Sequence, residues 1–467
     1  MKDPGRILIL GAGPTGLGAA WRLRDLGLED YLVVEGRGGP GGLATSFVDE
    51  AGFTWDVGGH VQFSHYSYYD DVLDQAVTGG WLEHERESWV WIRERWVPYP
   101  FQNNIHRLPT SERDLGLDGL RQAAATTSKE RPENFRQWIL QTFGTGIADT
   151  FLFPYNFKVW GHPLETMGVD WMGERVAVPD VERVERNIEE MRDDVSWGPN
   201  NRFRFPLYGG TGAIWTSVAG LLPEDRQRYG AWVESVDLDA RTLKLADGEQ
   251  LPWDKLISTL PLDTLWQMCD GREPELDSTA EALTHSSVHI LGVGLRGPKP
   301  DTLAKKCWMY FPEDHSPYYR VTVFTNYSPN NAPRGDGYWS LMAEVCESSH
   351  KPVDASDLER WTIEAMRRDG LFEERTEVVS FWHHRAEHGY PTPFLGRTEV
   401  LDRLIPWLEQ RDVYSRGRFG AWKYEVSNQD HSFMQGVEVV DRLVGEGDEP
   451  TINRSDYVNG GAFLRSA

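Results

Sequence analysis

The chain has 467 residues, about three times the ~150-residue domain norm, and its 40% apolar and 12% aromatic content marks a globular protein with a large core. Its 48 basic and 72 acidic residues leave a net charge of −24, which argues against nucleic acid or an anionic membrane surface as a partner. Cys269, Cys307 and Cys346 are widely spaced and form no C-x-x-C pair, no leader pattern follows Met1, and no apolar run reaches ~18 residues, so a reducing, cytoplasmic setting is expected.

In chain order, residues 6–10 (RILIL) predict a strand, 11–16 (GAGPTG) a glycine turn, the following LGAAWRLRDLG a helix, and 31–35 (YLVVE) a second, parallel strand. Gly11, Gly13 and Gly16 form a G-x-G-x-x-G fingerprint, in which missing side chains admit a pyrophosphate to backbone amides and a helix N-terminus. Glu35 stands nineteen residues after Gly16, near the offset of a ribose-binding acid. Two further glycine-rich turns follow, one holding Gly41, Gly42 and Leu43, the other Gly58, Gly59 and His60. Three stretches of bare backbone suit a flat flavin ring, so FAD is expected rather than NAD. His60 with His65, and His383 and His384 with His388, have spacings a metal could use. No sequence pattern of carboxylates or cysteines completes either set, so they are read as hydrogen-bonded histidines and no metal is expected.

Residues 106–195 turn helical and polar (ENFRQWILQTFG, VERVERNIEEMRDD), whereas 286–345 carries short β-rich runs (SVHILGVGL, CWMYF, YRVTVFTNY, YWSLMAEV). A helix is expected over 354–369, a loop-rich stretch around HGYPTP (388–393), and a last helix from near Asp430. The fold class expected is therefore α/β: a Rossmann-like FAD-binding domain with an inserted helical subdomain and an antiparallel β-sheet domain. The expected layout is 1–85, 197–285 and 400–467 for the FAD-binding domain, 86–105 and 286–399 for the β-sheet domain, and 106–196 for the helical subdomain.

Ten stretches, LILGAGPTGLGAAWRL, DVGGHVQFSHY, WVPYPFQNN, FPYNFKVWGHP, MGERVAVPD, SWGPNNRFRFP, CWMYFPED, NYSP, HGYPTP and RGRFGAWKYEVSNQDHSF, resemble UDP-galactopyranose mutases, in particular their eukaryotic-type branch. They run from residue 8 to 433. The resemblance implies an isomerase, an intramolecular transferase of galactofuranose biosynthesis that interconverts UDP-galactopyranose and UDP-galactofuranose. Reduced FAD acts there through its N5 atom as nucleophile at the anomeric carbon, with NADPH as reductant.

Residue by residue, the resemblance implies that Arg175 and Arg320 grip the diphosphate and, with His60, form the catalytic set. Tyr310, Tyr390 and Tyr424 would donate hydroxyls beside Trp308, and Phe63, Tyr99, Phe101, Gln102 and Phe151 would hold uridine. Asn156, Trp160 and Asn200 would lie near the sugar. Arg418, Asn428, Gln429 and Ser432 would face the flavin, Arg418 touching substrate as well. Flaps near 172–180 and 196–202 would close and exclude water. The arginines supply the local cation that an acidic chain needs in order to bind UDP-galactose. The sequence departs from the family in a short segment after NYSP and a short tail after Phe463, leaving the oligomeric state open. Alternatives are a mutase of another nucleotide sugar such as UDP-arabinopyranose, an FAD-dependent oxidoreductase of the amine-oxidase type, and a nucleotide-sugar sensor without turnover.

Overall fold

The computed structural model describes residues 2–126, 130–172, 176–195 and 201–460. Strand Ile7–Leu10 lies at the centre of a five-stranded sheet in which every pairing is parallel. The spatial order is Val413–Ser415, Lys255–Ser258, Ile7–Leu10, Tyr31–Val34 and Gln227–Arg228. All four residues of the central strand are buried, because both faces are covered. Ile7 and Ile9 pack with helices Pro14–Asp25, Gly212–Gly220 and Gln429–Val444, while Leu8 and Leu10 pack toward helices Leu262–Met268 and Arg397–Glu409. Full burial of each such side chain contributes roughly 1.5–3 kcal/mol.

A seven-stranded sheet forms the second layer, in the order Glu377–Pro391, His285–Arg296, Tyr338–Glu347, Arg320–Val323, Trp308–Tyr310, Ser88–Ile92, Arg95–Pro98. Its pairings are antiparallel except for Trp308–Tyr310 against Ser88–Ile92. One expectation is corrected here: HGYPTP does not open a loop, since the strand runs through Pro391, with His285 opposite Pro391 and Ser286 opposite Tyr390. Gly389 is a packing glycine rather than a turn signal, because a Cβ there would stand 2.4 Å from Val288 Cγ2. Helices Thr110–Ala125, Phe135–Ile147, Phe153–Trp160 and Val181–Glu189 gather around a third core that includes Phe101, Phe143 and Phe151. The α/β class with helical insert and antiparallel sheet is the one expected. Among the described residues, no helix is long and apolar enough to cross a membrane.

Candidate active site

A cavity of about 720 Å³ opens where the carboxyl ends of the parallel strands face the seven-stranded sheet. Gly11 follows strand Ile7–Leu10, Glu35 follows Tyr31–Val34, Thr259 to Pro261 follow Lys255–Ser258, and Arg418 follows Val413–Ser415; all line it. The carboxyl edge of such a sheet is where ligands of doubly wound folds bind.

At the sheet end, the first and third glycines of the fingerprint shape the turn. Gly11 has φ +106°, and a Cβ on Gly16 would lie 1.9 Å from the Gly11 carbonyl oxygen. Gly13 differs: its φ of −77° suits any residue, and a Cβ there would meet nothing closer than 3.9 Å. The protein leaves that space open, as a cradle for a ligand. Glu35 accepts from the amides of Ala12 (2.9 Å) and Arg37 (2.8 Å), which sets its carboxylate at the cavity's edge. The Gly41 amide donates to Ala12 (2.8 Å), clamping the second glycine turn onto the first. Gly42 and Leu43 line the cavity, as do Asn428, Gln429 and Ser432 at the start of helix Gln429–Val444; Gly16 and Gly41 stand behind its wall.

In the middle, Gly58, Gly59 and His60 form a tight turn, with the His60 amide donating to Gly58 (2.8 Å). Burial, then the charges of Arg418 and Arg320 against the opposing Glu344, push the His60 imidazole down to about 4, so it is neutral near pH 7. His60 Nδ1, Trp308 Nε1 and Thr322 Oγ1 are buried polar atoms with no hydrogen-bond partner among the described residues. Such orphans are costly unless a ligand or water meets them.

At the far end, Arg320 donates from Nε (2.8 Å) and Nη2 (2.6 Å) to the buried Glu344. Burial works against the Arg320 charge, but Glu344 outweighs it and raises the guanidinium further above its ordinary range. Arg418 lies 5.2 Å from the Tyr390 ring centroid and donates to Gly389 O (2.9 Å) and Ser427 Oγ (2.9 Å). Tyr310 packs against Tyr99 (5.3 Å between centroids), and both line the cavity with Phe63, Trp308 and Tyr424. Five arginines border the space (Arg37, Arg86, Arg320, Arg385, Arg418) against four carboxylates (Glu35, Glu344, Glu387, Asp430). The site is thus locally cationic on a strongly anionic chain.

Five other candidates lie off the wall. Phe101 and Phe151 stack on each other at 4.5 Å within the core, and Trp160 is packed edge-on to Tyr424 and Trp171. Gln102 donates to Ala177 O (2.6 Å) and Asn156 to Leu152 O (2.7 Å). Arg175 and Asn200, with residues 173–175 of the first expected flap and 196–200 of the second, fall outside the described residues.

The histidine readings need one amendment. Carboxylates distant in sequence do meet them: His65 Nδ1 lies 2.7 Å from Asp430 beside His431, and His388 Nε2 lies 3.0 Å from Asp263 beside His285. In each group the three possible ligand atoms lie within 4.8 Å of one another. His383 instead faces His289 at 2.8 Å. Asp430 is drawn down to about 2, burial opposing and His431 and His65 prevailing. Sequence reading missed Glu344, Tyr319 and Thr322; the one available signal was a lone acid inside the apolar run WSLMAEV.

Residues 14–437 match the family described as flavin containing amine oxidoreductase. A crystal structure of reduced UDP-galactopyranose mutase superposes with a TM-score of 0.95 and 50% sequence identity, covering 98% of this chain and 97% of that chain. A CLA-producing fatty acid isomerase from P. acnes (13% identity, 95% of this chain, 99% of that chain, TM-score 0.64) shares the fold alone. A putrescine oxidase bound to putrescine does likewise (15%, 94%, 99%, 0.63). Since identity at half of the aligned positions holds over nearly the full length of both chains, this protein belongs to the UDP-galactopyranose mutase family of the flavin containing amine oxidoreductases.

Proposed function

We propose that the protein binds FAD and interconverts UDP-galactopyranose and UDP-galactofuranose. One observation carries the reading: a dinucleotide cradle and an arginine–tyrosine cluster share one cavity, so a flavin at one end meets a nucleotide diphosphate at the other. The open space at Gly13, the Glu35 carboxylate and the orphaned His60 Nδ1 fit a bound FAD. When bound and reduced, FAD supplies the nucleophile for the anomeric carbon of the sugar.

The chain's own residues then do the positioning. Arg320, with Arg175, would hold the diphosphate, and Arg418 would touch the substrate from the flavin side; a guanidinium about 4 Å from a phosphate contributes on the order of 4 kcal/mol at an effective dielectric of 20. That grip keeps the expelled UDP in place for return, with Tyr310, Tyr390 and Tyr424 as hydroxyl donors. Neutral His60 serves as a hydrogen-bonding group that adds no charge to a site already rich in cations. Phe63 and Tyr99 offer faces to the uracil, with Phe101, Phe151 and Gln102 behind them, and Asn156 and Trp160 lie toward the sugar. Arg175 and Asn200 complete the reading as a second phosphate grip and a sugar contact.

NADPH is the reductant we propose, entering the same cavity. Mixing NADPH with the oxidised protein without oxygen should bleach the flavin band within turnover time; an unchanged band would remove it as reductant. The deciding experiment for the function is anaerobic incubation of the dithionite-reduced protein with UDP-galactofuranose, read by chromatography. Appearance of UDP-galactopyranose is expected; recovery of unchanged substrate refutes the reading.

A further inference from the structure

Glu344 has no part in the function as proposed, yet it is the most heavily engaged carboxylate in the cavity wall. It sits on strand Tyr338–Glu347 in a run, Trp339 to Cys346, that is buried throughout, and is itself only 2% exposed. Its Oε1 accepts from Arg320 Nε (2.8 Å) and from the Gly59 amide (3.1 Å), and its Oε2 from Arg320 Nη2 (2.6 Å) and the Tyr319 hydroxyl (2.6 Å). One side chain thereby joins the strand that carries Arg320 to the turn that carries His60.

On charge alone this is a poor place for an acid, since a carboxylate beside a diphosphate site repels the ligand and offsets the cation meant to bind it. Its geometry offers a reason. A guanidinium has five N–H donors in a rigid plane. The fork-to-fork pair uses Nε–H and one Nη2–H, which fixes that plane and reserves the remaining donors, both on Nη1 among them, for whatever enters the cavity. The Gly59 bond sets the adjacent turn in register with that plane.

We propose that Glu344 is a positioning residue, fixing the guanidinium plane of Arg320 against the Gly58–His60 turn so that a nucleoside diphosphate meets a pre-oriented cation. The proposal rests on the reading of the cavity as a UDP-sugar site. It makes a prediction opposite in sign to simple electrostatics: neutralising Glu344 removes a repulsive charge, yet should weaken UDP binding.

The test uses the FAD-loaded protein and three variants, Glu344→Gln, Arg320→Gln and the double variant, the last leaving no unpaired buried charge. Flavin content and absorbance are recorded first, then UDP affinity by titration calorimetry, then kcat and KM. Glu344→Gln should retain flavin and bind UDP about tenfold more weakly or worse, as expected for a lost charge-assisted arrangement. In the Arg320→Gln background, adding Glu344→Gln should cause no further loss, because the carboxylate acts through that arginine. Unchanged or tighter UDP binding by Glu344→Gln overturns the proposal, as do losses that multiply in the double variant. Failure of the parent protein to bind UDP overturns the substrate reading and this proposal with it. UDP binding by the parent, with Glu344→Gln indistinguishable from it, overturns this proposal alone.

Discussion

Gly13→Ala separates what the ligand requires from what the fold requires. The backbone at Gly13 (φ −77°, ψ −177°) accepts alanine, and the new methyl would find its nearest protein atoms, Gly41 O and Gly42 Cα, at 3.9 Å. The apoprotein should therefore change little, because a less flexible unfolded chain adds about 0.4–1 kcal/mol of stability and offsets the poorer capping by alanine at this helix N-cap. With FAD present, the methyl occupies the open side of the cradle that lines the cavity. Forcing a methyl into a filled site costs about 1–3 kcal/mol, which corresponds to FAD binding weakened about fivefold to 150-fold. Gly16→Ala is the contrasting case, because its Cβ would stand 1.9 Å from Gly11 O and break the turn with or without cofactor. The assay is fluorescence titration of apoprotein with FAD, paired with thermal melting of the apoprotein. FAD affinity at the parental level in Gly13→Ala, or an apoprotein that melts well below the parent, would refute the reasoning.

Glu438, buried on helix Gln429–Val444 and accepting two bonds from Thr451, is pushed up to about 8, chiefly by burial. The unfolded chain loses this proton near 4.5 and the folded chain only near 8, so the folded state binds more protons in between and stability falls as pH rises through that window. Glu438→Gln should remove that slope: the gap is worth up to ~5 kcal/mol, or ~5 °C in Tm at roughly 1 kcal/mol per kelvin for a chain of this size, present at pH 9 and absent at pH 4. An equal Tm difference at both pH values would contradict it. Arg416 is buried between Glu449 and Glu409 (2.6 Å to the latter), and Arg442 holds the same two acids at 2.6 and 2.8 Å, so Arg416→Met leaves each acid one cation and should destabilise by about 1.5–3 kcal/mol in denaturant titration; a change under about 0.5 kcal/mol would sink that account. His60 stays uncharged until about pH 4, so UDP affinity between pH 5.5 and 8 should show no inflection that His60→Asn removes.

The legible parts of this protein were those written in adjacent residues. The strand–glycine turn–helix–strand unit and Glu35 reveal themselves because a phosphate cradle needs its glycines at fixed short spacing. The long strand Glu377–Pro391 did not, since Gly389 and Pro391 look like turn residues and only pairing with His285 to Arg296 keeps them extended. The same limit applied to the histidines: Asp430 lies 365 positions from His65, and Asp263 lies 125 from His388, separations no local pattern encodes. The eight cavity-lining residues Phe63, Tyr99, Trp308, Tyr310, Arg320, Tyr390, Arg418 and Tyr424 came from motif resemblance, whereas Glu344, which orders Arg320, belongs to no motif.

That last case shows a way to read such sites. An acid standing alone in a buried strand must be neutralised or paired, and in WSLMAEV no neighbour on the same strand can do it. A partner cation therefore had to arrive from another strand, and the neighbouring strand offers Arg320, opposite Glu344 in register. Sheet pairing thus delivers the arginine to the acid, and the acid orients it, while Tyr319 and Gly59 satisfy the remaining lone pairs. Arg320 comes from the second sheet and the Gly58–His60 turn follows strand Thr54–Asp56, and the Glu344 carboxylate is the atom group at which the two are brought into register.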